Sequence, residues 1–341
     1  MKNRAAEFSQ RLMHDNRSVS VDIWCLVYNH EKYLHSALDG MLMQRTNFPY
    51  RIIIHDDAST DNSAKIIKEY QRQFPDKIIA IFEAENQMQK GVSFFRKMLA
   101  NATAKYIAYC EGDDYWIDKN KLQKQVTYLE THQDCVSCYH NILPVNEFGQ
   151  YDESLRKGYV YLKDGDYTKK EIRSFVLKTQ LASLVMKNYL TFFNENDIQV
   201  YQGVKCNGDR RILLLCGILG RVHYLSDVMA AHRRVFYGDS YTARLSKKST
   251  VDIFINEQKG KLEIRRLYKY FTGKPIYPYN DILHAIVTGF LLRQFCIKNG
   301  DHKKIFKEIN LPFYAFFIYV PFFFYKCLLK TWKIFVSNTL E

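Results

Sequence analysis

The sequence predicts an α/β fold, in which a mostly parallel central sheet is flanked by helices and followed by a helical, aromatic-rich C-terminal extension. Three observations carry that reading. Short apolar, β-branched and aromatic runs alternate with stretches of helical period between residues 19 and 132. Those runs are almost continuously apolar, as expected of strands covered on both faces. Several of them end in polar or acidic residues, and an open α/β sheet binds ligands at the carboxyl ends of its strands.

Taken in order, residues 1–18 read as a polar lead-in without the apolar core of a signal peptide. Val19–Tyr28 is the first strand, ended by Asn29-His30, and Glu31–Met43 follows as a helix with Leu34, Leu38 and Leu42 on one face. Tyr50–His55 is a fully apolar second strand. It breaks at Asp56-Asp57 and a loop with helix-capping residues, among which Asp61 reads as a cap for Ala64–Gln73. Lys77–Phe82 and Lys105–Cys110 are further strands separated by a helix near Phe94–Ala100, and Asp118–His132 is the next helix. Beyond it the pattern loosens. Cys135–Asn141 reads as a strand, Pro144–Asp166 as a polar connection, Thr168–Leu177 as a helix and Ala182–Met186 as a short strand. Gly208-Asp209 opens a strongly apolar helix, and Arg221–Leu225 returns as a strand.

The fold resolves into a lead-in (1–18), a main domain (19–235) and an extension (236–341). In the extension, Leu311–Tyr325 carries no charge, is dense in Phe and Tyr, and is flanked by Lys303, Lys304, Lys307, Lys326, Lys330 and Lys333. It is shorter than the roughly 20 residues of a spanning helix, and Pro312 and Pro321 interrupt it. Such a segment suits a membrane interface; a buried helix pair covering the main domain is the rival reading.

Net charge is +13 over 341 residues, yet no zinc-finger spacing, RNA-binding aromatic signature or leucine zipper appears. The basic excess therefore points to an anionic membrane surface or substrate rather than nucleic acid. Eight scattered cysteines, among them Cys25, Cys110 and Cys216 inside elements, read as reduced thiols of a cytosolic protein. Cys135 and Cys138 have CxxC spacing but no second pair to complete a zinc site. Tyr28-Asn29-His30-Glu31-Lys32 stands where a dinucleotide-binding enzyme needs its glycines, and no P-loop is present.

The stretch with most chemistry is Lys105–Trp116, KYIAYCEGDDYW. Glu111, Asp113 and Asp114 at the mouth of a buried strand repel one another and resist desolvation, so a cation belongs there. Mg2+ or Mn2+ holding a diphosphate fits, because either takes one or two carboxylates and fills its other positions with phosphate and water. Taken alone, the same acids could be a solvated turn before the next helix. With Asp56/Asp57 and Asp209, three acidic sites stand at ends that a parallel sheet gathers on one edge.

CLVYNHEKYL, IIIHDDASTDNS, YCEGDDYW and NGDRRILLLCGILGRVHYLSDVMAAHR together resemble glycosyltransferase family 2, inverting nucleotide-sugar enzymes of the GT-A fold, over Val19 to Arg234. The resemblance implies that Val27, Tyr28, Asn29 and Glu31 lie beside the nucleobase and that Asp57 accepts from its imide, which favours uracil. It implies that Glu111 and Asp113 face the ribose and sugar, that Asp114, with Asp113, binds the metal, and that Asp209 is the catalytic base. The chain departs from the common pattern at Glu111, where many relatives carry Asp, at His232, where an aromatic often precedes Arg233, and at Phe236, near where some place a metal-contacting His. Arg233 and Arg234 read either as diphosphate or acceptor contacts or as solvated surface; Asp209 could be only a helix cap and Tyr28 only strand packing.

The implied activity is metal-dependent transfer of a sugar from a nucleotide sugar, UDP-linked, to a saccharide or lipid-linked hydroxyl. The implied location is cytoplasmic, on the inner leaflet. A catalytically silent glycan-binding scaffold is the alternative. A nucleotidyltransferase would carry a glycine-rich phosphate loop after the first strand, which is missing.

Overall fold

A computed structural model describes residues 3–274 except 89, 91–94, 160, 174–179, 207, 237–242 and 244–246. The aromatic run Leu311–Tyr325 and its lysines lie outside the described residues.

Four strands, β1 (Val21–Val27), β2 (Tyr50–Asp56), β3 (Ile78–Phe82) and β4 (Tyr106–Tyr109), pair in parallel in the order β3-β2-β1-β4. Their side chains alternate between two buried faces. Trp24, Ile53 and Ile107 enter one core, while Ile23, Cys25, Ile52, Ile54, Tyr106 and Ala108 enter the other. Burial on both faces is why β1, β2 and β4 read as largely apolar runs, interrupted only where Asp22 and Arg51 pair with each other across β1 and β2 and by His55 near the end of β2. The helices α2 (Leu34–Leu42) and α3 (Ser63–Gln73) cover one face through Leu34, Leu38, Met41, Ile66 and Ile67. On the other, Phe95 and Met98 of α4 (Phe95–Asn101) pack beside Trp24.

The second half of the sheet is mixed rather than parallel. β8 (Val185–Lys187) runs antiparallel to both β4 and β6 (Cys135–Val145), and β6 runs parallel to β9 (Arg221–Arg233). The two-residue strand β5 (Tyr115–Trp116) closes the sheet edge antiparallel to Ala230–Ala231 of β9, and β7 (Gly165–Asp166) also joins β9. Two sequence expectations fall short here. The strand expected at Arg221–Leu225 runs on to Arg233, and the one at Cys135–Asn141 reaches Val145, because each supplies the other's backbone partners through two irregularities of register near Asn141. Among the cysteines, Cys25, Cys110, Cys135, Cys138 and Cys216 are free and buried.

Residues 1–18 are not merely a lead-in. Arg4–Met13 forms α1, with Ala5, Phe8 and Leu12 buried at helical spacing. Phe8 packs against Phe192, Phe193 and Phe271, and Arg4 pairs with the fully buried Asp197. After α5 (Lys121–Thr131), α6 (Lys169–Arg173) and α7 (Glu195–Gly203) come α8 (Gly208–Leu219) and α9 (Thr250–Thr272). The last two pack on each other and on α1, so the helix bearing Asp209 is braced by segments from both sides of the sheet domain in sequence.

The close approach of α2 to β5 fixes the height of the strand that follows the acids. A Cβ at Gly40 would sit 2.7 Å from the Trp116 carbonyl oxygen and 2.9 Å from its nitrogen, both backbone atoms. Gly40→Ala should therefore cost about 1–3 kcal/mol by overpacking, read from urea unfolding. A variant as stable as the parent would show that α2 moves aside freely.

Candidate functional site

The site is built at the carboxyl ends of β1, β2 and β4, as parallel topology requires. The β1 and β2 exits are tied together. Asp57 N–H donates to Val27 O (2.9 Å), Thr60 N–H to the Asn29 side-chain oxygen (2.8 Å), and Asn29 N–H to the Ser59 hydroxyl (3.0 Å). Glu31 and the 61–62 turn are joined reciprocally: Glu31 N–H donates to Asp61 (3.0 Å), while Asn62 N–H donates to the Glu31 carboxylate (2.8 Å). Asp61 also accepts from Ser63 N–H at the start of α3 (2.9 Å), so its capping role is shared with this tie. Asn29 and Ala58 both hold positive φ (56° and 59°), side by side in this corner. For Ala58 that is a strained conformation of the kind concentrated at ligand sites. Val27 is buried and Tyr28 half-buried beneath it. The Asp57 carboxylate, assigned to the nucleobase by resemblance, accepts the amides of Gln87 (2.7 Å) and Met88 (3.1 Å) and so orders the loop after β3.

The acidic loop continues the backbone pairing of β1: Cys110 N–H donates to Trp24 O (3.1 Å) and Gly112 N–H to Leu26 O (2.9 Å). Gly112 is required sterically, since a Cβ there would lie 2.7 Å from His30 Nδ1 and 3.0 Å from Val27 Cγ2. At this contact the loop after β1 meets the acids. Asp114 is buried, and one of its oxygens accepts the backbone N–H of Arg233 at 2.9 Å. Burial, then Asp113 and Glu111, push its acidity constant well up, against the opposing pull of Arg233. Glu111 is pushed up to about 8 by burial and by the charges of Asp113 and Asp209.

That last partner matters. Asp209, almost a hundred residues later in the first turn of α8, sits close enough to Glu111 for their charges to interact. Burial raises its own acidity constant, opposed by its own backbone amide and by Arg210 and Arg211. Glu111, Asp113 and Asp209 are thus gathered in one electrostatic neighbourhood, whereas Asp57 and Glu31 are engaged in ordering loops beside it. Among the described residues Glu111, Asp113 and Asp114 make no side-chain ion pair.

Sequence reasoning singled out His232 and Arg233 but ended their strand at Leu225 and left Arg233 open between a ligand contact and solvated surface. His232 is held neutral by burial, its acidity constant lowered to about 4 although Asp113 acts in the opposite direction, and it hydrogen-bonds Tyr159. Arg233 is only 6% exposed and thus not a solvated residue. The length of β9 is what delivers both, and a five-residue strand reading could not show it. A cavity of about 850 Å3 lined by Arg11, His14, Arg17 and Phe192 lies before β1 and β4, at the opposite sheet edge from the acids.

The donor set suits a hard divalent cation. It offers carboxylate oxygens, which Mg2+ and Mn2+ prefer, and Arg233, the basic side chain acting on Asp114, is not ion-paired to it among the described residues. No group of three His, Cys, Asp or Glu side chains poised for a metal exists among the described residues. A cation here would fit only with most of its positions filled by a ligand's oxygens and water. Asp113 and Asp114 are the residues that could hold it.

Residues 23–187 match the sequence model of glycosyl transferase family 2. They form a glycosyl transferase family 2 domain. An uncharacterised Mycobacterium tuberculosis protein is 43% identical over 133 residues, 39% of this chain and 38% of that protein. The matched part thus spans well under half of the curated relative's length. In fold, the chain is similar to S. aureus TarS 1–349 in complex with UDP-GlcNAc, with a TM-score of 0.52, 16% identity and coverage of 74% of this chain and 71% of that one. It is also similar to GalNAc-T7 with UDP, GalNAc and Mn2+, with a TM-score of 0.50, 12% identity and coverage of 87% and 57%. Both are GT-A glycosyltransferases, and that is the fold class of this family 2 domain. Asp209 lies beyond the matched segment, in the first turn of α8. Among the described residues no helix is long and apolar enough to cross a membrane.

The crowded acids make stability depend on pH. The acidity constant of Glu111 is raised in the fold from 4.5 to about 8, so the folded state holds its proton more tightly than the unfolded one. Its contribution is fully present below about 4.5 and is lost as pH rises through about 8. Without added metal or nucleotide, urea unfolding at about pH 5 and about pH 9 should show stability falling with pH. The fall should be smaller in Glu111→Gln, and an identical fall in parent and variant would contradict the electrostatic reading.

Proposed function

We propose that the chain is a metal-dependent inverting glycosyltransferase that moves a sugar from a nucleotide sugar, UDP-linked, to a hydroxyl of a saccharide or lipid-linked acceptor. The observation that carries the reading is the electrostatic proximity of Asp209 to Glu111 and, through it, to the Asp113–Asp114 loop. Family 2 membership supports the reaction class, and the nucleotides bound to TarS and GalNAc-T7 support a UDP-linked donor.

In this reading Asp113 and Asp114 would hold Mg2+ or Mn2+. When bound, the cation would neutralise the charge that develops on the leaving group as the anomeric C–O bond breaks. The corner formed by Val27, Tyr28, Asn29, Glu31 and Asp57 receives the nucleobase, with Glu111 and Asp113 toward ribose and sugar. Asp209 takes the proton of the attacking hydroxyl as its oxygen bonds to the anomeric carbon and the bonding electron pair departs with the diphosphate. Burial makes Asp209 a stronger base than an exposed carboxylate, while Arg210 and Arg211 favour its ionised form. With one carboxylate opposite the leaving group, displacement is direct and the anomeric centre inverts.

Lipid-linked acceptors are held at a bilayer, and the Lys-flanked aromatic run Leu311–Tyr325 suits peripheral contact with the cytoplasmic leaflet. Deleting the residues beyond 305 should abolish co-sedimentation with anionic vesicles; undiminished sedimentation would refute that attachment.

Asp209→Asn should lower turnover of UDP-sugars in the presence of Mn2+ by about 10²–10⁴-fold. UDP affinity measured by calorimetry should be little changed. Turnover within threefold of the parent would remove Asp209 as the base, and UDP failing to bind the parent protein would remove the donor assignment itself.

A further inference from the structure

The end of β9 does something that a strand end does not need to do. Arg233 sends polar bonds into two separate segments. Its backbone N–H donates to the Asp114 carboxylate at 2.9 Å and its Nε to the Asp113 carbonyl at 3.0 Å, while its Nη1 donates to the Glu147 carbonyl at 2.8 Å. The guanidinium carbon lies 4.6 Å from the centre of the Tyr33 ring and 5.3 Å from that of Tyr115. Tyr33 follows the β1 exit that forms the nucleobase corner, and Tyr115 directly follows the acids. The 146–149 turn is shaped to receive this fork. Gly149 has φ +79°, a Cβ there would sit 3.3 Å from Arg233 Nη1, and the Tyr115 hydroxyl donates to Gly149 O at 3.1 Å.

A guanidinium without a carboxylate partner is costly to bury. Among the described residues no side-chain ion pair repays Arg233; backbone carbonyls and two ring faces do so instead. Two of its side-chain nitrogens are committed to backbone, which leaves it ill suited to grip a diphosphate. The tie points are the backbones of the acidic loop and of one turn, not the apolar core. Lysine could not reproduce them, since a single ammonium lacks the planar fork that reaches two carbonyls in different segments.

We propose that Arg233 is a positioning residue: it fixes the direction of the Asp113 and Asp114 carboxylates relative to the nucleobase corner, and thereby sets how tightly a divalent cation is held with the donor. This rests on the donor-site reading above. Second-layer groups of this kind typically alter metal affinity by about 10–100-fold when replaced.

The test compares the full chain with Arg233→Lys by two measurements. In calorimetry of UDP binding at graded Mn2+, the half-saturating Mn2+ concentration should rise by about tenfold or more, with UDP affinity at saturating Mn2+ within threefold of the parent. In hydrogen exchange, protection should fall in 111–117 and 146–150 and stay unchanged in β1 and β2. A merely structural role would lower the melting temperature and leave the Mn2+ requirement alone, and that result would overturn the proposal. If the parent binds UDP without any metal, the donor-site reading fails rather than the tie, and the exchange data alone decide it: selective loss at the two segments supports the pin, and no loss refutes it. Should Arg233→Lys not fold, Tyr33→Leu removes one stacking face without touching the sheet and is read by the same two measurements.

Discussion

Like charges withdrawn from water are the constraint around which this molecule is arranged. Glu111, Asp113 and Asp114 follow β4, the charge of Asp209 acts on Glu111, and burial raises the acidity constants of Glu111, Asp114 and Asp209. Such a cluster is unfavourable by itself. A fold selected for stability alone would pair these acids with lysine or arginine, as it does at Arg51–Asp22 within the sheet and at Lys105–Glu130 between the start of β4 and α5. Leaving them unpaired makes sense if a cation and an anionic ligand complete the site together.

The rest of the architecture keeps that arrangement rigid. The parallel block aligns the exits of β1, β2 and β4, and Gly112 lets the acidic loop lie against His30 and Val27 without a side chain between them. The Glu31–Asp61–Asn62 tie closes the corner between the exits of β1 and β2. On the far side α8, which presents Asp209, is braced by α1 and α9. Residues from both ends of the described chain thus brace the helix that carries the proposed base, and the orientation of a carboxylate governs catalysis more than its mere presence does.

The parallel half was legible because its strands are buried on both faces, so that Ile52-Ile53-Ile54 and Tyr106–Tyr109 could be nothing but strands. The acids were legible because charge at the mouth of an apolar run has few structural uses. The mixed half was not. Asn141, His223 and Arg221 interrupt the apolar pattern of β6 and β9, and their polar side chains are satisfied by partners far away in sequence: Leu162 and Ser226, Asp166, and Asp134. The helix α1 was hidden by the polar residues between Ala5, Phe8 and Leu12, although their spacing was there to be counted. Arg233 was legible as a charged candidate but not as a tie to the acidic loop, since that bond exists only once β9 reaches past Ala231.

The claim on which everything turns is that acids distant in sequence surround one cation-bridged diphosphate. The most direct measurement is an anomalous difference map from a crystal soaked with UDP and Mn2+. A single Mn2+ peak between the Asp113–Asp114 carboxylates and the diphosphate, with uracil near Asp57 and Asp209 across the sugar site, is the result this account predicts. Ordered UDP with no Mn2+ at those acids, or with Asp209 turned away from it, would contradict the account.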